Sequence, residues 1–213
     1  MQRETLEATL LSTVYPRLDE SQIEKLLLLG ECYREWNAKI NLISRQDIDN
    51  VVRHHVVHSL APMMVFDFPS ACRVLDFGTG GGLPGLPLAI AYPEVEFHLV
   101  DSIGKKIRVV QAIAKELGLE NVLAEQTRGE QLKGQYTWVV SRGVTDLLQL
   151  WQWVRNLIVA NPMLDPGNGL IAYKGGDLKQ ELASFGSRVK TWSLGELLPD
   201  AWFEGKQLVR VEK

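Results

Sequence analysis

The chain is poor in cysteine and has no long hydrophobic run. Its two cysteines, Cys32 and Cys72, are far apart and not in a CxxC spacing, so neither a disulfide framework nor a cysteine metal site is predicted. The densest apolar stretch, Leu26 to Leu29, is much shorter than the roughly 20 residues that cross a bilayer. The first residues, MQRETLEATL, lack the apolar core of a secretory signal. We therefore expect a cytoplasmic protein without a membrane segment.

Neither sign of charge dominates the sequence. The 23 Lys and Arg residues are opposed by 26 Asp and Glu residues, for a net charge of −3. An unselective nucleic-acid coat protein carries an excess of basic residues, so that class is not indicated. A protein that docks one basic face on a folded RNA is compatible with this balance. The 213 residues suit one domain, or one domain with a small appendage.

Residues 1–68 are predicted to form a helical N-terminal extension. Apolar residues recur near a 3.6-residue period in ESQIEKLLLLGECYREWNAKINLIS, and Ser21 with Glu24 predicts a capping box at its start. A second amphipathic segment, IDNVVRHHVVHSLAPMMVF, follows Asp47. No strand is predicted in this region.

Residues 69–213 alternate between short apolar runs and helical patterns. Five runs are predicted strands: CRVLDFG, EVEFHLVDS, NVLAEQT, YTWVVSR and GLIAYKGG. Strands that alternate with helices of about 10 to 15 residues are typical of a parallel sheet covered on both faces. The tail has two strand-like runs, VKTWSLGELL and KQLVRVEK, with little helix between them. We therefore predict an α/β fold, a doubly wound and mostly parallel sheet that ends in an antiparallel pair.

A glycine-rich turn follows the first predicted strand. The stretch VLDFGTGGGLPG contains Gly78, Gly80, Gly81 and Gly82, preceded by Asp76. In an open parallel sheet the ligand binds at the carboxyl ends of the strands, and glycine in the first strand-to-helix turn lets the backbone approach it. A turn that only packs a helix on a sheet has similar residues, so the glycines alone are a weak signal.

Two carboxylates narrow the choice of ligand. Asp101 ends the second predicted strand, where an acid accepts hydrogen bonds from the ribose hydroxyls of an adenosine. This placement suits a nicotinamide dinucleotide and S-adenosylmethionine equally. Asp76 would repel a pyrophosphate and attract a ligand that carries an ammonium and a sulfonium. Position 83 also departs from GxGxxG, and no tyrosine has a lysine four residues later, so S-adenosylmethionine is favoured.

Motifs that the sequence lacks narrow the range of possible methyl acceptors. Transfer from a sulfonium is an in-line displacement, which chiefly requires a positioned nucleophile. Neither cysteine is placed for attack on a pyrimidine C5. The residues after the fourth predicted strand, SRGV, are not the (Asp/Asn/Ser)-Pro-Pro-aromatic motif of exocyclic amine methylases. A nucleophile with a free lone pair and no proton to lose, such as guanine N7, fits a site without a general base.

The motifs in combination resemble the ribosomal RNA small subunit methyltransferase G family, also called glucose-inhibited division protein B. WNAKINLIS, RHHVVHSL, DFGTGGGLPGLPLAI, LVDSIGKKIRVV, VVSRG and YKGG occur in the family's order and spacing, from about Leu28 to the C-terminus. The resemblance implies a Rossmann-like class I methyltransferase that transfers methyl from S-adenosylmethionine to N7 of a guanine in 16S rRNA. The alternatives are methylation of another RNA position or of a small molecule, and a nucleotide-binding module without catalysis.

The resemblance also implies site residues. Leu83 matches a cofactor-contacting position, Gly129 and Glu130 match a pair beside the adenine, and Arg142 matches an arginine near the target base. With the physical reasoning above, the predicted cofactor site comprises Asp76, Gly78, Thr79, Gly80, Leu83, Asp101, Gly129, Glu130 and Arg142. The predicted catalytic residues are Arg142 and Lys174, because Lys174 lies at the carboxyl end of the fifth predicted strand.

Basic residues near this site are predicted RNA contacts. They are Arg53, His55, Lys105, Lys106 and Arg108. For Lys105, Lys106 and Arg108 the alternative interpretation is solvated surface charge. We expect a monomer whose partner is 16S rRNA in the small ribosomal subunit.

Three histidines lie close together in the N-terminal region. His54, His55 and His58 form an HHxxH with the first and last on one helix face, but a metal site needs further ligands, and none is predicted. Trp151 and Trp153 lie in an apolar helix and are expected in the core.

The sequence departs from the family at three positions: Gly81 replaces a proline, Gly143 an alanine, and His58 an acid.

Overall fold

The computed structural model describes residues 2–160 and 167–213, apart from the side chain of Glu130. Two helices open the chain, α1 (Gln2–Val14) and α2 (Glu20–Asn37). A capping box does begin α2, but Asp19 is its N-cap and Gln22 supplies the returning side chain. The predicted box at Ser21 and Glu24 was wrong, because an aspartate caps as well as a serine and starts the helix two residues earlier.

The second amphipathic segment is helical, but most of it is not α-helix. A 3-10 turn at Ile48–Asn50 leads into a π-helix at Val51–Val56, then into α3 (Val57–Ser59) and a 3-10 turn at Ala61–Met64. π-helical turns are rare in proteins, and those that occur are often found at functional sites. No strand occurs between residues 2 and 68, all of which the structure describes.

Within residues 2–160 and 167–213, seven strands form one mixed sheet. They are β1 (Arg73–Phe77), β2 (Glu96–Asp101), β3 (Val122–Gln126), β4 (Trp138–Arg142), β5 (Gly169–Gly175), β6 (Val189–Ser193) and β7 (Lys206–Glu212). The order is β3-β2-β1-β4-β5-β7-β6. The first five strands are parallel, and β7 runs antiparallel to both β5 and β6. The predicted parallel sheet with an antiparallel C-terminal pair is confirmed.

Five α-helices accompany the strands in the described part of the chain. They are α4 (Gly85–Ala91), α5 (Gly104–Glu116), α6 (Leu147–Val154), α7 (Lys179–Leu182) and α8 (Leu194–Leu197). The strand order reverses between β1 and β4, and this switch point places a ligand crevice at their carboxyl ends.

The N-terminal helices share one hydrophobic core with the sheet. Leu26 and Tyr33 of α2 belong to the same buried cluster as Val74 and Phe97 of the strands. The proposed division of the chain at residue 68 stays a prediction, and packing across it is continuous. Within the described residues, none of the helices has the length and apolar character needed to span a membrane.

Candidate functional site

A cleft of about 580 Å³ opens at the carboxyl ends of β1, β2 and β4. Its walls come from the glycine loop, the β2–α5 turn, the loop after β3 and the segment after β4. Seven of the predicted cofactor residues line it: Gly78, Thr79, Gly80, Leu83, Asp101, Gly129 and Arg142. The side chain of Glu130, another predicted cofactor residue, lies outside the described part of the chain. The fold therefore brings together residues that lie far apart in the sequence.

Glycine is required where backbone borders the cleft. Gly78, Gly80 and Gly82 have φ of +73°, +59° and +97°, a conformation that other residues adopt only with strain. A Cβ on Gly78 would lie 2.4 Å from Cγ2 of Val144, and one on Gly129 would lie 2.1 Å from the Phe77 ring. At both positions a side chain would collide with a neighbouring side chain that itself lines the cleft.

Asp76 lies beneath the glycine loop and not among the residues that line the cleft. Its side chain is fully buried, and Oδ2 accepts hydrogen bonds from the Thr79 hydroxyl at 2.6 Å and the Gly85 amide at 2.8 Å. Oδ1 has no hydrogen-bond partner among the described residues. Burial raises the pKa of this carboxyl to about 7. Asp76 therefore joins the glycine loop to the start of α4, whereas the sequence predicted that it faces the ligand.

The Asp76 carboxyl should make stability fall as pH rises. The unfolded carboxyl releases its proton near its ordinary pKa of 3.8, whereas the folded one holds it up to a pKa of about 7. The stability that the neutral form contributes is therefore present below the ordinary pKa and is lost as pH rises through 7. From pH 5 to pH 8 we expect wild type to lose up to about 3 kcal/mol relative to Asp76→Asn, which keeps a neutral group there.

Urea unfolding of both proteins at pH 5 and pH 8 measures this difference. Asp177→Asn is the matched control, because Asp177 is exposed and its substitution removes the same formal charge. Parallel pH profiles of wild type and Asp76→Asn would contradict the assignment.

Asp101 joins the glycine loop to the β2–α5 turn at the edge of the cleft. Its Oδ2 accepts a hydrogen bond from the Gly80 amide at 2.9 Å, and its Oδ1 accepts one from the Ile103 amide at 2.8 Å. The side chain is partly exposed to the cleft. A carboxylate has about four acceptor positions, so Asp101 keeps capacity for ligand hydroxyls.

Arg142, at the end of β4, lies between the cleft and the π-helix. Its Nη1 is 3.5 Å from the His55 carbonyl oxygen, and it takes part in none of the salt bridges among the described residues. Desolvation of the guanidinium lowers the pKa of Arg142, partly offset by Tyr173, Tyr33 and Asp76. A desolvated guanidinium with one long contact is costly to the folded state. Such groups are typical of sites that bind a ligand.

Lys174 is not brought to the cleft lining. Its Nζ forms a salt bridge with Glu181 at 2.7 Å and donates to the Thr145 carbonyl at 3.0 Å. Glu181 also accepts a hydrogen bond from the Leu147 amide at 2.7 Å, so the pair joins α6, α7 and β5. In this geometry Lys174 connects three elements of the fold, and its catalytic role stays a prediction.

The predicted RNA contacts lie in two separate places. Lys106 lines the cleft, whereas Lys105 and Arg108 are exposed on α5 outside the lining. Arg53 and His55 lie on the π-helix, where Arg53 pairs with Asp200 and the His55 Nε2 is 2.8 Å from Asp47. Of the five residues, Lys106 lines the cleft and the other four do not, and their contacts with RNA stay a prediction.

The histidines of the HHxxH pack around a tryptophan near the C-terminus. The His54 ring stacks on Trp202 with centroids 4.5 Å apart, and the Trp202 ring is also in edge contact with His55 and His58. Asp47 binds His54 Nδ1 at 2.6 Å. Burial lowers the pKa of His58 well below its ordinary value. Within the described parts of the chain, no group of three or more metal-binding side chains is placed to hold an ion.

Comparison with known proteins identifies the family. The model of rRNA small subunit methyltransferase G matches residues 22–197. A protein of that name from Flavobacterium psychrophilum is 45% identical over 197 residues, which cover 92% of this chain and 94% of the relative. One from Parabacteroides distasonis is 45% identical over 203 residues, 95% of this chain and 88% of the relative. The chain belongs to this family.

Solved structures support the fold of this family member. A precorrin-6y C5,15-methyltransferase from Geobacter metallireducens superposes with a TM-score of 0.54 at 11% identity, over 82% of this chain and 92% of that one. A SAM-dependent methyltransferase from Aquifex aeolicus superposes with a TM-score of 0.53 at 12% identity, over 76% and 90%. At such low identity the likeness concerns the fold alone. The predictions of the family and of a Rossmann-like class I methyltransferase fold are confirmed.

Several residues that line the cleft of this methyltransferase G family member were not among the predicted site residues, including Leu42, Phe77, Arg128 and Trp153. Trp153, expected in the core, does pack against it but is only partly buried, and its ring, stacked on Phe77 with centroids 5.9 Å apart, also borders the cleft. Trp151 is buried as expected. Residues two positions apart on a helix point to opposite sides, and that spacing was the signal available in the sequence. Leu42 lies in an irregular loop, for which periodicity provides no signal.

Proposed function

We propose that the chain transfers the methyl group of S-adenosylmethionine to N7 of a guanine in 16S rRNA of the small ribosomal subunit. The observation that carries the proposal is the cleft in which the glycine loop, Asp101 and the unpaired Arg142 meet. Membership of the rRNA small subunit methyltransferase G family supports an acceptor in rRNA.

The residues of the cleft fit S-adenosylmethionine. The glycine loop leaves room for a ligand at Gly80, where a Cβ would meet only the end of the Lys106 side chain, Nζ at 3.9 Å. Asp101 has acceptor capacity for the ribose hydroxyls, and Gly129 and Trp153 provide close backbone and an aromatic face for the adenine. When bound, S-adenosylmethionine supplies an electrophilic methyl group on a sulfonium.

The acceptor chemistry explains why the cleft needs no general base. Guanine N7 has a lone pair and no proton to lose, so the protein must chiefly position the base and exclude water. The guanine O6 acceptor lies beside N7 on the same edge. The N–H donors of Arg142 can hold the base through O6 and leave N7 free to attack.

Two further cations border the cleft and suit RNA phosphates. Lys106 and Arg128 line it, and neither takes part in a salt bridge among the described residues. Phosphate contacts set the register of a nucleic acid without reading its sequence. In a chain of net charge −3 this attraction is local, so we propose docking at the cleft mouth. We propose further that the chain acts as a monomer in the cytoplasm.

Transfer of tritiated methyl groups tests the proposed function. S-adenosylmethionine labelled in the methyl group is incubated with 30S subunits, with naked 16S rRNA and with pools of small molecules, and the modified base is then mapped. We expect label at N7 of a single guanine. Label in small molecules or at another RNA position would support a different methyltransferase, and cofactor binding without transfer would support a binding module.

Lys106→Gln should weaken RNA methylation without weakening cofactor binding. Loss of one phosphate contact makes the apparent RNA affinity fall and lowers the slope of its salt dependence by about one. Lys115→Gln is the matched control, because it removes the same charge near the other end of α5. Equal KM values for RNA in the two variants would count against docking at the cleft mouth.

A further inference from the structure

The loop that follows α2 reaches the cleft from the N-terminal region. Leu42 is among the lining residues, although it is distant in sequence from the strands that form the rest of the cleft. It lies directly over the glycine loop, since a Cβ on Gly81 would be 3.3 Å from Leu42 Cβ and Cδ2. Leu42 is therefore an apolar wall beside the backbone that the proposed cofactor approaches.

Asn37, the last residue of α2, holds this loop with its side-chain amide. Oδ1 accepts hydrogen bonds from the Leu42 amide at 2.8 Å and the Ile43 amide at 2.9 Å, and Nδ2 donates to the Ile43 carbonyl at 3.0 Å. Asn37 and Ile43 are both buried. Three bonds to two adjacent residues define where the Leu42 side chain lies.

The same helix also holds the glycine loop on the other side of this contact. The Tyr33 hydroxyl, fully buried, donates to the Gly81 carbonyl at 3.0 Å. Tyr33 and Asn37 are four residues apart and so lie on one face of α2. One helix face therefore sets both the loop and the apolar wall above it.

We propose that Asn37 is a positioning residue for the cofactor and acts through Leu42. The inference rests on the proposed function for the identity of the ligand. With the Asn37 bonds in place, Leu42 covers the glycine loop and keeps water from the bound molecule, which is the usual role of apolar lining in a ligand pocket. Without them, the loop and its leucine leave the cleft.

A purely structural role for Asn37 predicts a different outcome, and Asn121 provides the matched control. The Asn121 side chain also makes three hydrogen bonds to backbone, to the carbonyls of Ala89, Tyr92 and Val95 at 3.0, 3.2 and 3.0 Å. It does not line the cleft. Asn37→Ala and Asn121→Ala thus remove the same number of backbone contacts, one beside the cleft and one away from it.

Calorimetric titration with S-adenosylmethionine, together with the Tm of each variant, tests the inference. We expect Asn37→Ala and Leu42→Ala each to raise the Kd at least tenfold and Asn121→Ala to leave it within twofold, although both asparagine variants lower the Tm. The double variant N37A/L42A should bind no more weakly than the weaker single variant, because both changes remove the same wall. In methyl transfer, the KM for the cofactor should rise while kcat stays near wild type.

Several results would overturn the inference. They are a Kd within twofold of wild type for Asn37→Ala, additive losses in the double variant, and equal loss of affinity in Asn121→Ala. If Asn37→Ala does not fold, Leu42→Ala still tests the inference, because Leu42 is partly exposed and its substitution should leave the fold intact. An unchanged Kd for Leu42→Ala would show that Leu42 does not contribute to cofactor binding. Failure of the wild-type protein to bind S-adenosylmethionine would instead remove the proposed function.

Discussion

Arg142→Met should lower kcat for methyl transfer by at least about 100-fold while the protein stays folded. Arg142 is the group that we propose to hold the acceptor base, and its guanidinium has a single long contact, 3.5 Å from the His55 carbonyl. Methionine has a similar length and no donors, so the base would lose its anchor. Because an in-line displacement depends on alignment, loss of positioning reduces the rate more than the affinity for cofactor.

Stability should move in the opposite direction to activity. Desolvation already lowers the pKa of Arg142, so the folded state bears the cost of an unpaired charge that methionine does not have. We expect a Tm equal to or above that of wild type. Thermal unfolding and single-turnover methyl transfer on the same preparations measure both quantities.

Arg34→Met is the matched control for this prediction. The Arg34 side chain is also largely buried, but it is paired, with Glu7 at 2.6 Å and Glu31 at 2.7 Å. Removing it leaves the Glu7 carboxylate buried without its partner, at a cost of about 3 kcal/mol. We therefore expect a lower Tm and near-normal methyl transfer. A loss of activity in Arg142→Met that is matched by a loss of Tm would contradict the catalytic placement of Arg142.

Asp101→Ala should weaken S-adenosylmethionine binding by about 10- to 100-fold, the worth of one charge-assisted hydrogen bond. The carboxylate is the acceptor that we propose for the ribose hydroxyls, and it also orders the cleft through the amides of Gly80 and Ile103. Alanine removes both functions. Asp101→Asn retains one acceptor oxygen and should lie between alanine and wild type.

Calorimetric Kd values for the three proteins, with Asp177→Ala as control, test this order. Asp177 accepts a hydrogen bond from the Lys179 amide two residues later at 3.0 Å, the same local pattern that joins Asp101 to Ile103. It does not line the cleft, so its loss should leave the Kd unchanged. An Asp101→Ala variant that binds S-adenosylmethionine as tightly as wild type would remove the assignment of the cleft to this cofactor.

Much of the fold and part of the site were predictable because they depend on local patterns. Alternating strands and helices after residue 69 predict the parallel sheet, and topology alone then places the first strand-to-helix turn and the tip of β2 at one edge. The glycine loop and Asp101 are in the cleft for that reason. Arg142 was located by resemblance to the family, which fixes its position at the end of β4.

The sequence by itself determined the family, the order of elements and the strand ends that form the cleft, since those follow from period, glycine placement and motif spacing. Only the tertiary structure decided the orientation of individual side chains. It places Asp76 beneath the glycine loop, pairs Lys174 with Glu181 and brings Leu42 over Gly81. These outcomes depend on contacts between residues distant in sequence, where packing and the pairing of buried charges, and not local propensity, set the lowest free energy.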